Sequence, residues 1–160
     1  MSKLAVIRLR GGIGSHHSIR DTLRHLRLES KNACILIEDT PSVRGMLHKA
    51  KDYITFGEVD DAMAKLLYEK KSRPYLGRIK DAKGKEDFSR RFREVNGKKI
   101  LPFFRLANPR GGFERKGIKV GFNAGGALGD RGKDINRLLE KMINNDDIHG
   151  NEIISNKGPK

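Results

Sequence analysis

Residues 33–50 read ACILIEDTPSVRGMLHKA, and this stretch decides the fold. The apolar run from Ala33 to Glu38 predicts a short strand that is buried on at least one face. Thr40 and Pro41 indicate a helix start, because Thr caps free backbone N–H groups and Pro at the first helical position loses no hydrogen bond. Four apolar residues at helical spacing then mark the inward face of this helix: Val43, Met46, Leu47 and Ala50.

The segments on either side extend this strand-and-helix order. Leu4 to Arg10 alternates as a first strand, and the glycine-rich Gly11–Gly14 ends it. We expect Ser18 to cap a helix over residues 19–28, since an acidic residue follows three positions later. Tyr53 to Val59 predicts a third strand. The order β-α-β-α-β within sixty residues predicts an α+β fold with a ferredoxin-like core, in which the helices lie on one face of the sheet.

We divide the chain into a core over 1–60, a helix plus basic extension over 61–143, and a tail over 144–160 that we expect to be mobile. The extension is partly irregular. Its predicted elements are a helix capped by Asp60, a charged helix over 87–95, a strand over 100–106, a glycine-rich stretch over 108–129 and a helix over 132–143.

The charge of the chain is large and unevenly placed. The 160 residues include 34 Lys and Arg against 20 Asp and Glu, a net charge of +14. Residues 71–120 carry a net +11, whereas 1–70 carry +3 and 121–160 are neutral. Such a concentrated excess favours a polyanionic partner. The alternative is a solvated face that keeps the protein soluble.

Several classes of function find no support. The single cysteine, Cys34, forms no internal disulfide, and its apolar strand favours core packing over a nucleophilic role. No apolar run is long enough for a membrane span, we expect no signal peptide, and neither metal nor cofactor motifs stand out. Gly11–Gly14 sits where phosphate loops sit, but it lacks the full fingerprints. A small nucleotide-binding enzyme therefore stays only as an alternative.

Residues 103–122 read FFRLANPRGGFERKGIKVGF and combine cations with aromatic rings. Arg and Lys neutralise phosphates, glycines allow close backbone approach, and an aromatic ring can stack on an unpaired base. Phe103 and Phe104 are equally compatible with a second hydrophobic cluster. His16 and His17 flank a helix start, where they suit either phosphate contact or a solvated loop.

Three segments resemble one known family. They are residues 12–28, the stretch Glu38–Leu47 that contains the pattern Asp-Thr-Pro-x-x-Arg-Gly-Met, and Asn108–Phe113 followed by Gly125–Gly129 and Ile135–Leu139. Together they resemble the archaeal long form of large-subunit ribosomal protein thirty, which is similar to the eukaryotic large-subunit protein seven.

The resemblance implies a ferredoxin-like core and a structural, non-catalytic role in the large ribosomal subunit. It implies a cytoplasmic, ribosome-bound protein near the central protuberance, close to the small ribosomal RNA and to neighbouring ribosomal proteins, with no membrane partner. It also implies that Arg44 and Gly45 face RNA and that Arg110, Gly111 and Gly112 carry a contact found only in long forms. For Gly45 the alternative is packing against a strand.

The full set of predicted RNA-binding residues is Arg10, His16, His17, Arg44, Gly45, His48, Lys49, Arg73, Arg105, Arg110, Gly111, Gly112, Phe113, Arg115, Lys116 and Lys119. The competing binding function is that of a free nucleic-acid chaperone or DNA-compacting protein, which would share the charge but bind most duplexes alike.

Overall fold

The computed structural model describes residues 3–80, 88, 91–95 and 97–144. Its helices and strands are, in chain order, β1 (Lys3–Arg8), α1 (His17–His25), β2 (Ala33–Glu38), α2 (Pro41–Ala50), β3 (Ile54–Glu58), α3 (Asp61–Lys71), β4 (Arg93–Val95), β5 (Lys98–Ile100), β6 (Phe104–Arg105), β7 (Gly129–Asp130) and α4 (Ile135–Asn144). Short 3-10 turns cover 117–119, 122–124 and 132–134.

A five-stranded sheet in the order β6-β2-β1-β3-β7 organises the chain. β1 lies at its centre and pairs antiparallel with β2 and β3, with Val6 opposite both Ile35 and Phe56. β6 adds antiparallel to β2, and β7 adds parallel to β3. The predicted α+β class with a ferredoxin-like core is confirmed, and β2 has the predicted bounds.

Helices cover both faces of this sheet. α1 and α2 pack on one face over a core that includes Leu4, Val6 and Leu47. α3 and α4 pack on the other face, over a core that includes Ala5 and Ile7. We predicted that the helices lie on one face of the sheet; α1 and α2 share a face, but α3 and α4 lie on the opposite one. Because both alternate sets of β1 side chains are apolar, the sheet needs a second layer, and the C-terminal part of the chain provides it.

Two of the three predicted helix caps need correction. α1 begins earlier than residue 19 and is capped by His16, whose Nδ1 accepts from the Ser18 N–H at 3.3 Å, so Ser18 lies inside the helix. Asp60 occupies the cap position of α3, but its side chain makes no capping bond there. Thr40 caps α2 as predicted, since its Oγ1 accepts from the Val43 N–H at 3.3 Å.

The extension departs most from its predicted elements. A helix over 87–95 is wrong for 93–95, because these residues form β4 and pair with β5 in a separate hairpin; positions 87, 89 and 90 lie outside the described residues. Of the predicted strand over 100–106, only Phe104–Arg105 join the main sheet. The closing helix begins with a 3-10 turn over 132–134. The predicted mobile tail falls, from residue 145 onward, outside the described residues.

The predicted boundary near residue 60 remains a prediction. β6 and β7, from the extension, complete the same sheet as the three core strands. At the β7 side, a Cβ on Gly57 would collide with the backbone carbonyl of Gly132. Because Gly57 has no side chain, the turn before α4 can approach β3 closely.

Candidate nucleic-acid interface

The strand directions gather several basic connections at one end of the sheet. β1 ends there, β2 and β3 begin there, and β6 ends there, as the pairs Arg8–Ile54 and Ala33–Arg105 show. We call this end, with the connections that leave it, the basic end. Its exposed or partly exposed cations come from four separate parts of the sequence: Arg10, Arg27, Lys31, Lys51, Arg105 and Arg110.

The opposite end of the sheet has the reverse charge. β2 finishes at Glu38 and leads into Asp39, β3 finishes at Glu58, and Asp60 and Asp61 begin the next helix. A six-residue strand separates the two ends by roughly 16–17 Å. The fold thus separates charge along the strand axis, which the distribution of charge along the sequence did not reveal.

Arg105 and Arg110 belong to the basic end. Arg105 is exposed at the end of β6 and lines a cleft of about 300 Å³ with Arg27, Glu29, Ser30 and Phe103. Asn32, just before β2, donates from Nδ2 to Asn108 Oδ1 at 2.8 Å, and this bond holds the 108–112 segment beside the start of β2. The turn that carries Arg110 therefore lies near Arg105 although it leaves the sheet.

Gly111 and Gly112 have backbone conformations that suit close contact with a ligand. Their φ values are +80° and +83°, and no described atom lies within 4 Å of a Cβ built on either residue. The Gly112 N–H donates to the Pro109 carbonyl at 3.0 Å, which closes the turn. Phe113, by contrast, is half-buried against the α3–α4 core, so its ring is only partly available for stacking.

The loop that follows β1 and the first residue of α1 provide three more predicted residues. Arg10 donates to the Asp52 carbonyl at 3.2 Å and lies 5.2 Å from the centre of the Tyr53 ring, so part of its charge serves the fold. His16 is exposed and caps α1. His17 is exposed with its Nε2 3.5 Å from Asp21. The imidazoles remain accessible, and the one at position 16 also has a structural role.

α2 places Arg44 away from the basic end. Its Nε donates to Asp39 Oδ1 at 2.6 Å, and its Nη2 donates to Asp39 Oδ2. These bonds hold the pKa of Asp39 below its usual range and raise the pKa of Arg44. A phosphate would have to compete with this carboxylate for the guanidinium.

Gly45, His48 and Lys49 are exposed on the same helix. The position of a Cβ on Gly45 has no described atom within 4 Å, so the alternative that Gly45 packs against a strand is wrong. Arg44 and His48 line a groove of about 410 Å³ that also includes the acidic Glu58 and Asp130. This surface has mixed charge, whereas cations outnumber carboxylates at the basic end.

The remaining predicted cations form no single cluster with these residues. Arg73 is exposed just after α3, and its carbonyl accepts from Leu101. Arg115, Lys116 and Lys119 are exposed on the glycine-rich segment, where the Lys116 N–H donates to the Gly125 carbonyl at 3.2 Å. Segment 97–120 contacts the rest of the protein through β6, which pairs with β2, and through Phe113 and Ile118, which pack against the α3–α4 core.

Two arginines important to the site were not singled out from the sequence. Arg8 is buried and donates to the carbonyls of Arg10, Leu28 and Glu29 at 2.6–2.8 Å. Burial lowers its pKa. The sequence did contain a signal for this burial: side chains alternate along a strand, which puts Arg8 on the same covered face as Leu4 and Val6.

The second is Arg131, whose side chain is 2% exposed. It donates to Thr55 Oγ1 at 3.0 Å and to Glu114 Oε1 at 2.7 Å, and it stacks 4.7 Å from the centre of the Phe122 ring. These contacts join β3 to the glycine-rich segment. No local sequence pattern marks this residue, since its side-chain partners Thr55 and Glu114 lie 76 and 17 positions away.

Nucleotide binding by the loop Gly11–Gly14 stays an alternative, and the structure places the Arg8 side chain next to Gly12. A Cβ on Gly12 would lie 2.9 Å from the Arg8 guanidinium, which fills the space beneath the loop. Among the described residues, no group of three His, Cys, Asp or Glu side chains is arranged to hold a metal ion. None of the described helices has the length and apolar character that a membrane crossing requires.

The fold and the charge separation define a small ferredoxin-like protein with one surface suited to a polyanion. Comparison with known proteins makes the assignment specific. The sequence model of the ribosomal protein L30p/L7e family matches residues 4–54. The chain is 46% identical over 149 residues to the large ribosomal subunit protein uL30 of Methanopyrus kandleri, a match that covers 84% of this chain and 100% of that protein.

Two further relatives agree. The uL30 proteins of Methanococcus maripaludis and Nanoarchaeum equitans are each 40% identical, over 87% and 89% of this chain and 98% and 100% of their own lengths. The chain therefore belongs to the ribosomal protein L30p/L7e family, and the resemblance drawn from the sequence is confirmed. Members of this family are structural ribosomal proteins, so the prediction that the chain is not an enzyme is confirmed as well.

Proposed function

We propose that this protein is a structural component of the large ribosomal subunit and that it binds ribosomal RNA through its basic end. The supporting observation is the convergence of Arg105, Arg110 and the open Gly111–Gly112 turn at the end of the sheet where other cations gather. Guanidinium groups bind phosphates, and a glycine turn lets a sugar-phosphate backbone approach closely. RNA is the polyanion that the family membership favours.

The finer placement follows from the resemblance and belongs to the same proposal. The protein sits near the central protuberance, beside the small ribosomal RNA and neighbouring ribosomal proteins, and is cytoplasmic because it is ribosome-bound. At the opposite end of the sheet, the carboxylates of Glu58, Asp60 and Asp61 suit a basic protein neighbour better than RNA, since like charges repel phosphates, whereas the first turns of α2 beside them carry the cation Arg44.

A secondary contact at α2 is part of the proposal. Gly45 is open to solvent and Arg44 lies in the first turns of the helix, where partial positive charge favours an anion. RNA binding there requires the Arg44 guanidinium to share its hydrogen bonds between Asp39 and a phosphate. His48 and Lys49, exposed one turn further on, add to the same face.

The basic end is tested by Arg110→Ala, with a variant of the exposed Arg137 on α4, Arg137→Ala, as the matched control. Binding to a large-subunit ribosomal RNA transcript is measured across a series of salt concentrations. For Arg110→Ala we expect weaker binding and a slope of log affinity against log salt that is shallower by about 0.7–0.9, the loss of one phosphate contact. For Arg137→Ala we expect no change, because Arg137 lies in the first turn of α4, where its neighbour Asn136 donates to the Glu58 carbonyl at the acidic end of the sheet. An unchanged slope for Arg110→Ala would remove this residue from the interface.

Competition with random duplex DNA separates the ribosomal role from that of a free chaperone. We expect ribosomal RNA to displace the protein from DNA at moderate salt, and we expect the protein to sediment with large ribosomal particles. Equal affinity for all duplexes, together with sedimentation as a free protein, would favour the chaperone instead.

A further inference from the structure

The loop between β1 and α1 presents an isoleucine to solvent. Ile13 is 103% exposed, more than any other large apolar side chain among the described residues. Single exposed apolar residues are ordinary on protein surfaces. What distinguishes Ile13 is that it stands at the tip of a turn whose backbone is held in place.

Three constraints hold this turn. The Ser15 N–H donates to the Gly12 carbonyl at 3.2 Å, and the Ser15 hydroxyl donates to the same carbonyl at 2.6 Å. Gly14 has φ +74°, the conformation that the third residue of a type II turn requires. Beneath the turn, Gly12 rests on the buried Arg8 guanidinium, which is anchored to the α1–β2 connection. The isoleucine is therefore presented at little entropic cost to a partner.

Cations surround this apolar tip. Ile13 lines an open cleft of about 430 Å³ together with Arg20 and Arg24, which lie four residues apart on α1 and are both exposed. Residues four apart share one face of a helix, so the two guanidinium groups point the same way. His16 is exposed beside them, and Glu29 is the acidic residue in the lining.

We propose that Ile13 packs against the face of an unstacked base of ribosomal RNA, while Arg20 and Arg24 contact the phosphates that flank this base. This inference rests on the proposed function. An RNA loop offers both an apolar base face and concentrated negative charge, and apolar side chains serve as wedges against bases in other complexes. A protein partner fits less well, because Ile13 is the one exposed apolar side chain among the described residues that line the cleft.

The test compares two nearly isosteric variants, Ile13→Val and Ile13→Thr. We expect the valine variant to bind the large-subunit RNA transcript within about twofold of the wild type, and the threonine variant to bind about tenfold more weakly, because its hydroxyl loses water against a base face. The salt slope stays the same in both, since no charge changes. Both variants melt like the wild type, because the side chain is exposed.

The arginines provide a complementary control. Arg20→Ala and Arg24→Ala each give a salt slope shallower by about 0.7–0.9, whereas Ile13→Thr leaves it unchanged. Equal affinities for the valine and threonine variants overturn this inference but leave the proposed function standing, provided that the wild type binds with a steep salt slope. Absence of specific RNA binding by the wild type overturns the proposed function itself.

Cross-linking from position 13 identifies the partner. A photoreactive aliphatic analogue at this position, in purified large subunits that contain the protein, is expected to cross-link to ribosomal RNA at an unpaired nucleotide. A cross-link to a ribosomal protein, or to no component of the subunit, overturns the inference.

Discussion

Replacement of Arg8 by methionine tests how the loop that presents Ile13 is held. The Arg8 guanidinium donates to the Leu28 carbonyl at 2.7 Å, to the Glu29 carbonyl at 2.6 Å and to the Arg10 carbonyl at 2.8 Å. It also supports Gly12 from below. Methionine keeps the apolar stem of the side chain, ends where the guanidinium begins and provides no donor, so these three carbonyls lose their partner.

The cost follows from the number of bonds and their burial. Each hydrogen bond from a charged donor is worth about 1.5–3 kcal/mol. The methionine variant regains part of the lost stability, because it no longer keeps a charged guanidinium away from water. We therefore expect a loss of about 3 kcal/mol in the free energy of unfolding. For a domain of this size, such a loss lowers the melting temperature by about 6–12 °C.

Urea and thermal unfolding, followed by circular dichroism, measure the effect. Arg24→Met is the matched control, because Arg24 lines the same cleft but is exposed; its expected change is within about 0.5 kcal/mol. If Arg8→Met unfolds at the same urea concentration as this control, the buried guanidinium does not stabilise the fold and the reasoning is wrong.

Three further predictions concern single groups. Burial raises the pKa of Cys34 to about 12, so a thiol reagent at pH 8 should label it slowly in the native protein and quickly in urea; its stabilising contribution is full below its ordinary pKa near 9 and is lost as the pH rises toward 12. Gly45→Ala should raise the free energy of unfolding by about 0.5–1 kcal/mol, because the site is open and helical, and yet weaken RNA binding if α2 meets RNA. In the wild type, the lowered pKa of Asp39 gives stability that is present above the ordinary carboxyl value and is lost as the pH falls through the lowered one; Arg44→Ala should return this pKa toward its ordinary value and remove the contribution, and carboxyl NMR titration measures the shift.

Local patterns were most reliable where the chain interacts with its own near neighbours. The strand over Ala33–Glu38, the Thr40 cap and the apolar face of α2 appear as predicted, since each depends on spacing within a few residues. The α1 cap was missed because Ser18 matched a common pattern, whereas His16 supplies the accepting nitrogen. The helix predicted over 87–95 was wrong for Arg93–Val95, whose pairing with β5 outweighs their helical spacing.

The cations among the predicted site residues are exposed, apart from the partly buried Arg10, but they lie on more than one part of the surface. Arg105 and Arg110 come together because strand pairing brings residue 33 beside residue 105. Arg44 lies toward the other end of the strands and is held by Asp39. Charge counted along the sequence locates a basic segment, but it cannot tell which cations face the same direction.

The sequence by itself determined the class of fold and the family and predicted a polyanionic partner, because alternation, capping, motif order and net charge are properties of the chain read in order. Only the tertiary structure decided that helices cover both sheet faces, that Arg8 and Arg131 are buried and that basic and acidic connections leave opposite ends of the sheet. These features arise from contacts between residues far apart in the chain, such as Glu58 and Asn136, which are 78 positions apart. Such contacts depend on how the strands pair and in which direction each one runs, and no window of neighbouring residues contains that information.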